Sequence, residues 1–269
     1  MFKIIRKILS YFLIFVLASF AIWLGHLFTG GRDAAILMYH SIGEPVPESE
    51  NLNMGMDVFE WQMKYLHDNK YNVIPMEELL RNLKEKKPVP PKTVVLTFDD
   101  GYENNYRKVF PVLKKYRFPA VIFIPIDFIG VEKEFFGHRY RFLDKKMIKE
   151  MSDSGLVVFG SHALDHKQLT LKKSQSSLRK EIFDSKLSLE KITGKKADLF
   201  CYPCGVYDEQ IEKVVREAGY AAALTTFPKE KGFAHSDIFA LKRIKPTKIR
   251  SKFVFFIQTS GYYMRMREG

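Results

Sequence analysis

Three short segments of the sequence contain residue types that could carry out hydrolysis at a metal ion. They are residues 97–101 (TFDDG), 160–166 (GSHALDH) and 200–205 (FCYPCG). Each follows or ends a short apolar run that is typical of a buried strand. Because the carboxyl ends of parallel strands meet at one face of a barrel, we expect the polar residues of the three segments to converge.

Asp99 and Asp100 are adjacent carboxylates at the end of a predicted buried strand. Burying both is costly unless a cation neutralises one of them. A metal ion would bind one carboxylate, and the other would be free to act as a base towards a polarised water. The alternative interpretation is an acidic helix N-cap beside a turn residue, since a helix is predicted from Tyr102.

His162 and His166 are four residues apart, so both imidazoles share one face if this segment is a helical turn. Such a pair can hold a transition metal through nitrogen. With one aspartate, the histidines make a three-ligand set that leaves coordination positions open, which favours catalysis over a structural site. The set suits one divalent metal ion, zinc or else iron, cobalt or nickel. Two unrelated surface histidines are the alternative.

Cys201 and Cys204 form a CxxC motif and are the only cysteines in the sequence. No second CxxC completes a structural zinc site, and the motif comes later in the chain than that of a thioredoxin-like dithiol. We therefore predict a structural disulfide or two buried thiols rather than a redox centre.

Predicted strands and helices alternate along the chain. The main predicted strands cover residues 34–39, 93–98, 120–124, 156–160, 198–202, 220–225 and 239–244. One predicted helix begins at Asp57. The other predicted helices cover residues 76–86, 102–116, 143–154, 172–193, 208–218 and 251–259. Such alternation implies parallel pairing, in a barrel or in a doubly wound sheet. Because the polar residues follow several different strands, we predict an α/β fold with a distorted, incomplete (β/α) barrel.

Residues 1–33 are predicted to lie outside this barrel. Lys3, Arg6 and Lys7 precede an apolar run over residues 8–24, which continues to about the length of a membrane-spanning helix. We expect an uncleaved transmembrane anchor with a cytoplasmic amino terminus and a short hinge. Residues 34–269 would then form one extracytoplasmic domain. A cleaved signal peptide is the alternative.

The formal net charge of +12 suits a membrane surface, a nucleic acid or an anionic polymer. The basic residues are scattered over predicted helix faces and the tails, and the sequence contains no recognised nucleic-acid-binding motif. We expect no nucleic-acid partner and attribute the charge to contact with anionic lipid headgroups.

The order and spacing of TFDDG and HALDH resemble the motifs of polysaccharide deacetylases of the NodB-homology type, over about residues 36–246. The resemblance implies a distorted (β/α) barrel that uses a divalent metal to hydrolyse N-acetyl groups on amino sugars. It implies that Asp99 is the catalytic base and that Asp100, His162 and His166 are the metal ligands. Through the third motif, FCYPCG, it implies that the backbone N–H of Cys204 helps to bind the oxyanion.

Two departures from the family pattern point to one branch of the family. Many members have an arginine at the position of Cys201, and the late Leu-x-x-His motif is missing from residues 239–244. Both departures resemble the branch that deacetylates exported poly-N-acetylglucosamine, where the histidine of an early Met-Tyr-His sequence is the acid. His40 ends such a sequence and is our candidate acid. We hypothesise that Arg243 partly replaces the missing arginine.

These observations lead us to expect an enzyme that removes N-acetyl groups from an extracytoplasmic, poly-N-acetylglucosamine-like glycan and releases acetate. Our candidates for substrate binding are Tyr102, Leu224, Leu241 and Arg243, and the two leucines would line an acetyl pocket or belong to the core. The expected partners are the acetylated glycan, membrane lipid through the amino-terminal helix, and polysaccharide export machinery. The alternatives are the same fold acting on peptidoglycan or a lipid-linked sugar, and a catalytically impaired barrel that binds glycan.

Overall fold

The chain folds into short strands that alternate with helices. The computed structural model describes residues 2–28, 34–43, 52–135, 138–172, 174–226, 237–260 and 263. Its strands are β1 (Ala35–Tyr39), β2 (Ser41–Ile42), β3 (Asn53–Met54), β4 (Asn72–Val73), β5 (Thr93–Phe98), β6 (Ala120–Ile124), β7 (Glu132–Phe135), β8 (His138–Arg141), β9 (Val157–Ser161), β10 (Leu199–Cys201), β11 (Ala222–Thr225) and β12 (Leu241–Lys242). Its α-helices are α1 (Phe2–Phe28), α2 (Met56–Asp68), α3 (Met76–Lys84), α4 (Phe110–Tyr116), α5 (Lys145–Asp153), α6 (Gln175–Thr193), α7 (Glu209–Glu217) and α8 (Lys252–Thr259).

A parallel sheet runs in the order β1-β5-β6-β9-β10-β11-β12. The chain just after β12 returns to β1, because Met38 donates its N–H to the carbonyl of Ile244 at 2.8 Å and Ile244 donates to the carbonyl of Ile36 at 2.7 Å. β4 pairs with the first residues of β5 and lies off this path. The sheet is therefore a nearly closed barrel, and the predicted (β/α) barrel is confirmed.

Alternate residues of each barrel strand face different cores. In β5, Val95 packs in a cluster with Leu224 and other residues of the barrel strands. Its neighbour Leu96 packs instead in the cluster that contains Phe59 of α2. Asp99 lies four residues beyond Val95 and so continues the inward face past the end of the strand. The alternation of inward-facing and outward-facing residues in β5 thus places Asp99 on the inner side of the barrel, at its carboxyl end.

One predicted helix differs in kind from that in the structure. The helix predicted over residues 102–116 contains a π-helical turn, Asn105–Val109, before α4 begins. Residues 162–166 form a loop, so the two histidines do not share a helical face. The β7–β8 hairpin was not predicted, because its strands, EKEF and HRYR, carry charged residues in place of an apolar run.

The amino-terminal helix α1 leaves its described apolar side chains exposed, among them Tyr11, Phe12 and Phe15. Within the part of the chain that the structure describes, no helix combines the length and the apolar character needed to cross a membrane. The transmembrane helix predicted within residues 1–33 is not confirmed. The predicted hinge, residues 30–33, lies outside the described residues.

Candidate active site

A cavity of about 410 Å³ lies at the carboxyl ends of the barrel strands. Its lining residues are Met38, His40, Leu52, Asp99, Asp100, His162, His166, Tyr202, Cys204, Gly205, Thr226, Arg243 and Lys245. The lining includes every predicted catalytic residue, every predicted metal ligand and Arg243. The convergence that the three sequence motifs predict is therefore present in the structure.

Three predicted substrate-binding residues do not line this cavity. Leu224 and Leu241 are fully buried on neighbouring strands, where they belong to the barrel core. Tyr102 stacks on Phe142, with ring centroids 5.1 Å apart. The apolar lining comes instead from residues that the sequence did not single out: Met38, Leu52 and Tyr202.

A sharp turn after β5 separates the two aspartates. Asp100 and Gly101 both have positive φ angles, +70° and +69°. Such angles favour glycine, and a Cβ at Gly101 would also lie 3.1 Å from the Cγ1 atom of Ile124. The turn takes Asp100 to the histidine loop, where its Oδ1 atom lies 3.1 Å from Nε2 of His166.

The histidine loop brings its two rings together by backbone conformation. Ala163 and His166 have φ angles of +64° and +63°, and the ring centroids of His162 and His166 are 4.7 Å apart. Nδ1 of His162 lies 2.7 Å from the carbonyl oxygen of Cys201, so this nitrogen donates. Nε2 of His162 then carries no proton, so its lone pair is available to a metal ion. This atom lies 3.8 Å from Asp100 Oδ1.

Asp100, His162 and His166 meet the requirements of a metal site. Their ligand atoms all lie within 4.8 Å of one another. In a tetrahedral zinc site, bonds of about 2.0–2.1 Å place ligand atoms about 3.4 Å apart, close to the two Asp100–histidine distances. The buried Oδ1 atom of Asp100 accepts no hydrogen bond from the described residues, although both imidazoles approach it. These residues therefore fit a divalent metal ion.

The pKa shifts of His162 and Asp100 suit a metal ion, whereas the Asp100 carboxylate raises the pKa of His166. Burial, together with the charge of His166, lowers the pKa of His162 to about 4, so its imidazole is neutral at pH 7. Burial would raise the pKa of Asp100, but the neighbouring imidazoles outweigh that effect and hold its pKa well below the usual value. A neutral imidazole and an ionised carboxylate are the forms that bind metals.

Arg243 forms a buried, bidentate ion pair with Asp99. Its Nη1 and Nη2 atoms each lie 2.7 Å from one carboxylate oxygen. Burial would raise the pKa of Asp99, but the guanidinium of Arg243 outweighs it and lowers the pKa below its usual value. Nη2 also lies 3.1 Å from the Sγ atom of Cys201. Arg243 thus contacts both the Asp99 carboxylate and the Cys201 thiol, and its replacement of an arginine at position 201 stays a hypothesis.

Asp99, His162 and Cys201 form a second group whose ligand atoms lie close together. The guanidinium of Arg243 already contacts both Asp99 and Cys201 in this group. A second positive charge there would be repelled, so Asp100 and not Asp99 is the carboxylate available to a metal ion.

His40 lies beside Asp99 in the cavity lining. Its Nε2 atom is 3.7 Å from Asp99 Oδ2. Burial lowers the pKa of His40, and the charge of Asp99 opposes this shift. Asn105 donates its side-chain N–H to the His40 carbonyl at 3.0 Å, and Asn104 donates to Ser41 Oγ at 2.7 Å.

The two cysteines do not form the predicted disulfide. Both are free thiols, Cys201 buried and Cys204 exposed, so the alternative prediction of two buried thiols is also wrong. Cys201 ends β10 inside the barrel, whereas Cys204 lies in a turn with a φ angle of +58° at the cavity. This turn separates the two side chains and brings Cys204 to the cavity lining.

A family model for polysaccharide deacetylases matches residues 86–223. The chain belongs to the polysaccharide deacetylase family. YxkH of Bacillus subtilis (strain 168), whose name assigns it to the polysaccharide deacetylases, is 37% identical over 213 residues, which cover 78% of this chain and 70% of that protein. Family membership makes the chain a deacetylase hydrolase, as the motif resemblance predicted.

Two further relatives carry more specific names. The poly-β-1,6-N-acetyl-D-glucosamine N-deacetylase of Staphylococcus aureus (strain MSSA476) is 31% identical over 179 residues, which cover 64% of this chain and 60% of that protein. The deacetylase PplD of Streptococcus pyogenes, solved in complex with acetate, is 27% identical and superposes with a TM-score of 0.73, covering 85% of this chain and 98% of that chain. The predicted resemblance to the poly-N-acetylglucosamine branch is confirmed.

We predict that the full-length chain binds one equivalent of Zn²⁺ and that His166→Ala weakens this binding at least tenfold, because one of three ligands is lost. Competition with a chromogenic chelator measures the affinity. His67→Ala is the control, since His67 is an exposed histidine of α2 outside the cavity. Equal zinc affinity of His166→Ala and the wild type would contradict the assignment of the site.

Proposed function

We propose that the chain hydrolyses the N-acetyl groups of a poly-N-acetylglucosamine-like polysaccharide. The observation that carries the proposal is the Arg243–Asp99 pair in the same cavity as the Asp100, His162 and His166 group. An ionised carboxylate beside a metal site with open positions is the arrangement that amide hydrolysis by water requires. The name of the S. aureus relative supports this choice of polymer.

A divalent metal ion would be held by Asp100, His162 and His166, with zinc as our first choice. When bound, it supplies positive charge that polarises the substrate carbonyl and the attacking water. All other parts of the proposed reaction belong to side chains and backbone of this chain.

Asp99 accepts the proton of the attacking water. Arg243 holds both carboxylate oxygens, which fixes the orientation of Asp99 and keeps it ionised despite its burial. The backbone N–H of Cys204 is our candidate donor to the oxyanion that forms on the acetyl group. His40, 3.7 Å from Asp99, is placed to take the water's proton from Asp99 and to pass it to the leaving nitrogen. The C–N bond breaks, and the products are acetate and a free amine.

We also propose that the reaction takes place outside the cytoplasmic membrane. The support comes from the sequence, where Lys3, Arg6 and Lys7 precede the apolar run of residues 8–24. The exposed aromatic side chains of α1 would contact lipid in such an arrangement. A location at the membrane surface would bring the cavity close to an exported polymer and to its export machinery.

We predict that Asp99→Asn and His40→Ala each lower kcat/KM for acetate release from N-acetylglucosamine oligomers by at least a hundredfold. The first variant removes the base and the second removes the acid, and each such group typically contributes about 10²–10⁴-fold. Acetate release by the zinc-loaded, full-length chain measures the effect.

His67→Ala is the matched histidine control for this experiment and should behave like the wild type. Release that survives His40→Ala would require another acid. Zinc binding without release from these oligomers would favour peptidoglycan or a lipid-linked sugar as substrate. Neither release nor zinc binding would favour a barrel that only binds glycan.

We predict that Arg243→Ala lowers kcat/KM at least tenfold and the free energy of unfolding by about 3–5 kcal/mol, because it leaves Asp99 buried without a partner. Arg243→Lys should fall between Arg243→Ala and the wild type, since lysine keeps the charge but not the bidentate fork. Acetate release and urea unfolding measure the two effects.

Cys201→Ala is the control for repacking beside Arg243. It removes the thiol contact but retains the ion pair, so its kcat/KM should stay within about threefold of the wild type. A rate preserved in Arg243→Ala would contradict the role proposed for the arginine.

A further inference from the structure

The loop over residues 162–166 carries two of the proposed metal ligands but belongs to neither a strand nor a helix. It follows β9 directly and contains two non-glycine residues with positive φ angles, Ala163 and His166. Such backbone conformations cost free energy and persist only where surrounding contacts hold them. A carboxylate outside the cavity supplies such contacts.

Glu181, on α6, accepts hydrogen bonds from the centre of this loop. Its Oε2 atom lies 3.0 Å from the backbone nitrogen of Leu164 and 3.3 Å from that of Asp165. The side chain is buried, and it is not part of the cavity lining. Hydrogen bonds to a charged acceptor are stronger than those between neutral groups, so the Glu181 carboxylate holds the backbone of residues 164 and 165 strongly.

Lys172 neutralises the buried charge and ties the loop to the same network. Its Nζ atom lies 2.7 Å from Glu181 Oε1 and 2.8 Å from Asp165 Oδ2. On the opposite side, the carbonyls of residues 163 and 164 accept hydrogen bonds from the backbone N–H groups of residues 126 and 127. The loop is thus held between the end of β6 and the carboxylate of Glu181.

We propose that Glu181 is a positioning residue for the metal site. It acts through the backbone of residues 164 and 165, and it holds His162 and His166 at the separation that one metal ion requires. Metal–nitrogen bonds vary in length by only about 0.2 Å, so a small displacement of the loop weakens binding. The inference rests on the proposed function only in taking these two histidines as metal ligands.

Helix α6 also provides a matched control, Glu190. Its carboxylate accepts a hydrogen bond from the backbone N–H of Ala197 at 3.1 Å and lies beside Lys186. The segment that it holds leads into the amino end of β10, at the opposite end of the barrel from the cavity. Each carboxylate anchors a backbone segment beside a lysine, but only Glu181 holds the metal-binding loop.

The Zn²⁺ affinity of the full-length chain, measured by competition with a chromogenic chelator, tests this proposal. We expect Glu181→Ala to bind Zn²⁺ at least tenfold more weakly than the wild type, in the range typical of groups that orient metal ligands. Glu181→Gln should lose at least threefold, because its amide oxygen still accepts hydrogen bonds but its charge is gone. Glu190→Ala should stay within twofold of the wild type. Urea unfolding of the metal-free Glu181→Ala and Glu190→Ala variants should show similar losses of stability.

A Zn²⁺ affinity within twofold of the wild type in Glu181→Ala, or in Glu181→Gln where the alanine variant fails to fold, would overturn the proposal. An equal loss in Glu190→Ala would also overturn it, because the effect would then follow general stability. A wild-type chain that binds Zn²⁺ through His166 and releases no acetate would refute the proposed function and leave the role of Glu181 intact. If His166→Ala leaves zinc binding unchanged, the assignment of the metal site is wrong, and the proposal for Glu181 is wrong with it.

Discussion

The buried ion pair between Arg243 and Asp99 is the constraint on which the rest of the site depends. The carboxylate of Asp99 remains ionised at this depth because the guanidinium of Arg243 pairs with it, whereas desolvation of an unpaired charge costs several kcal/mol. The pair occupies the inner face of the barrel just above its apolar core, and the small Cys201 leaves room for the guanidinium. Because Asp99 is paired with Arg243, Asp100 is the carboxylate available beside the two histidines.

The remaining geometry comes from backbone conformations that ordinary helices and strands do not provide. Positive φ angles at Asp100, Ala163, His166 and Cys204 turn the chain sharply at the carboxyl ends of three barrel strands. Each turn changes the direction of one functional group within a few residues. Networks behind the cavity, such as that of Glu181, hold these conformations in place. The rigid barrel therefore sets where the segments meet, and the turns set how their polar groups face one another.

Much of this arrangement could be predicted from the sequence, since periodicity and motif order lead to the strands, the barrel and the set His40, Asp99, Asp100, His162 and His166. The features that the sequence did not predict correctly depend on tertiary structure. Spacing alone cannot show that Ala163 adopts a left-handed conformation, so it could not show that the two histidines meet in a loop rather than on a helical turn. Nor can it show that Leu224 faces the core while Met38 faces the cavity. The CxxC motif indicated a disulfide because the turn at Cys204 was not visible in the sequence.

The most direct test of the account is acetate release by the wild-type, full-length chain before and after removal of its metal. The account predicts release from N-acetylglucosamine oligomers by the zinc-loaded chain, loss of release after chelation, and recovery with one equivalent of Zn²⁺. Recovery would show that the Asp100, His162 and His166 site and the Arg243–Asp99 pair work together. Release that chelation leaves unchanged, or no release from any acetylated glycan by the zinc-loaded chain, would contradict it.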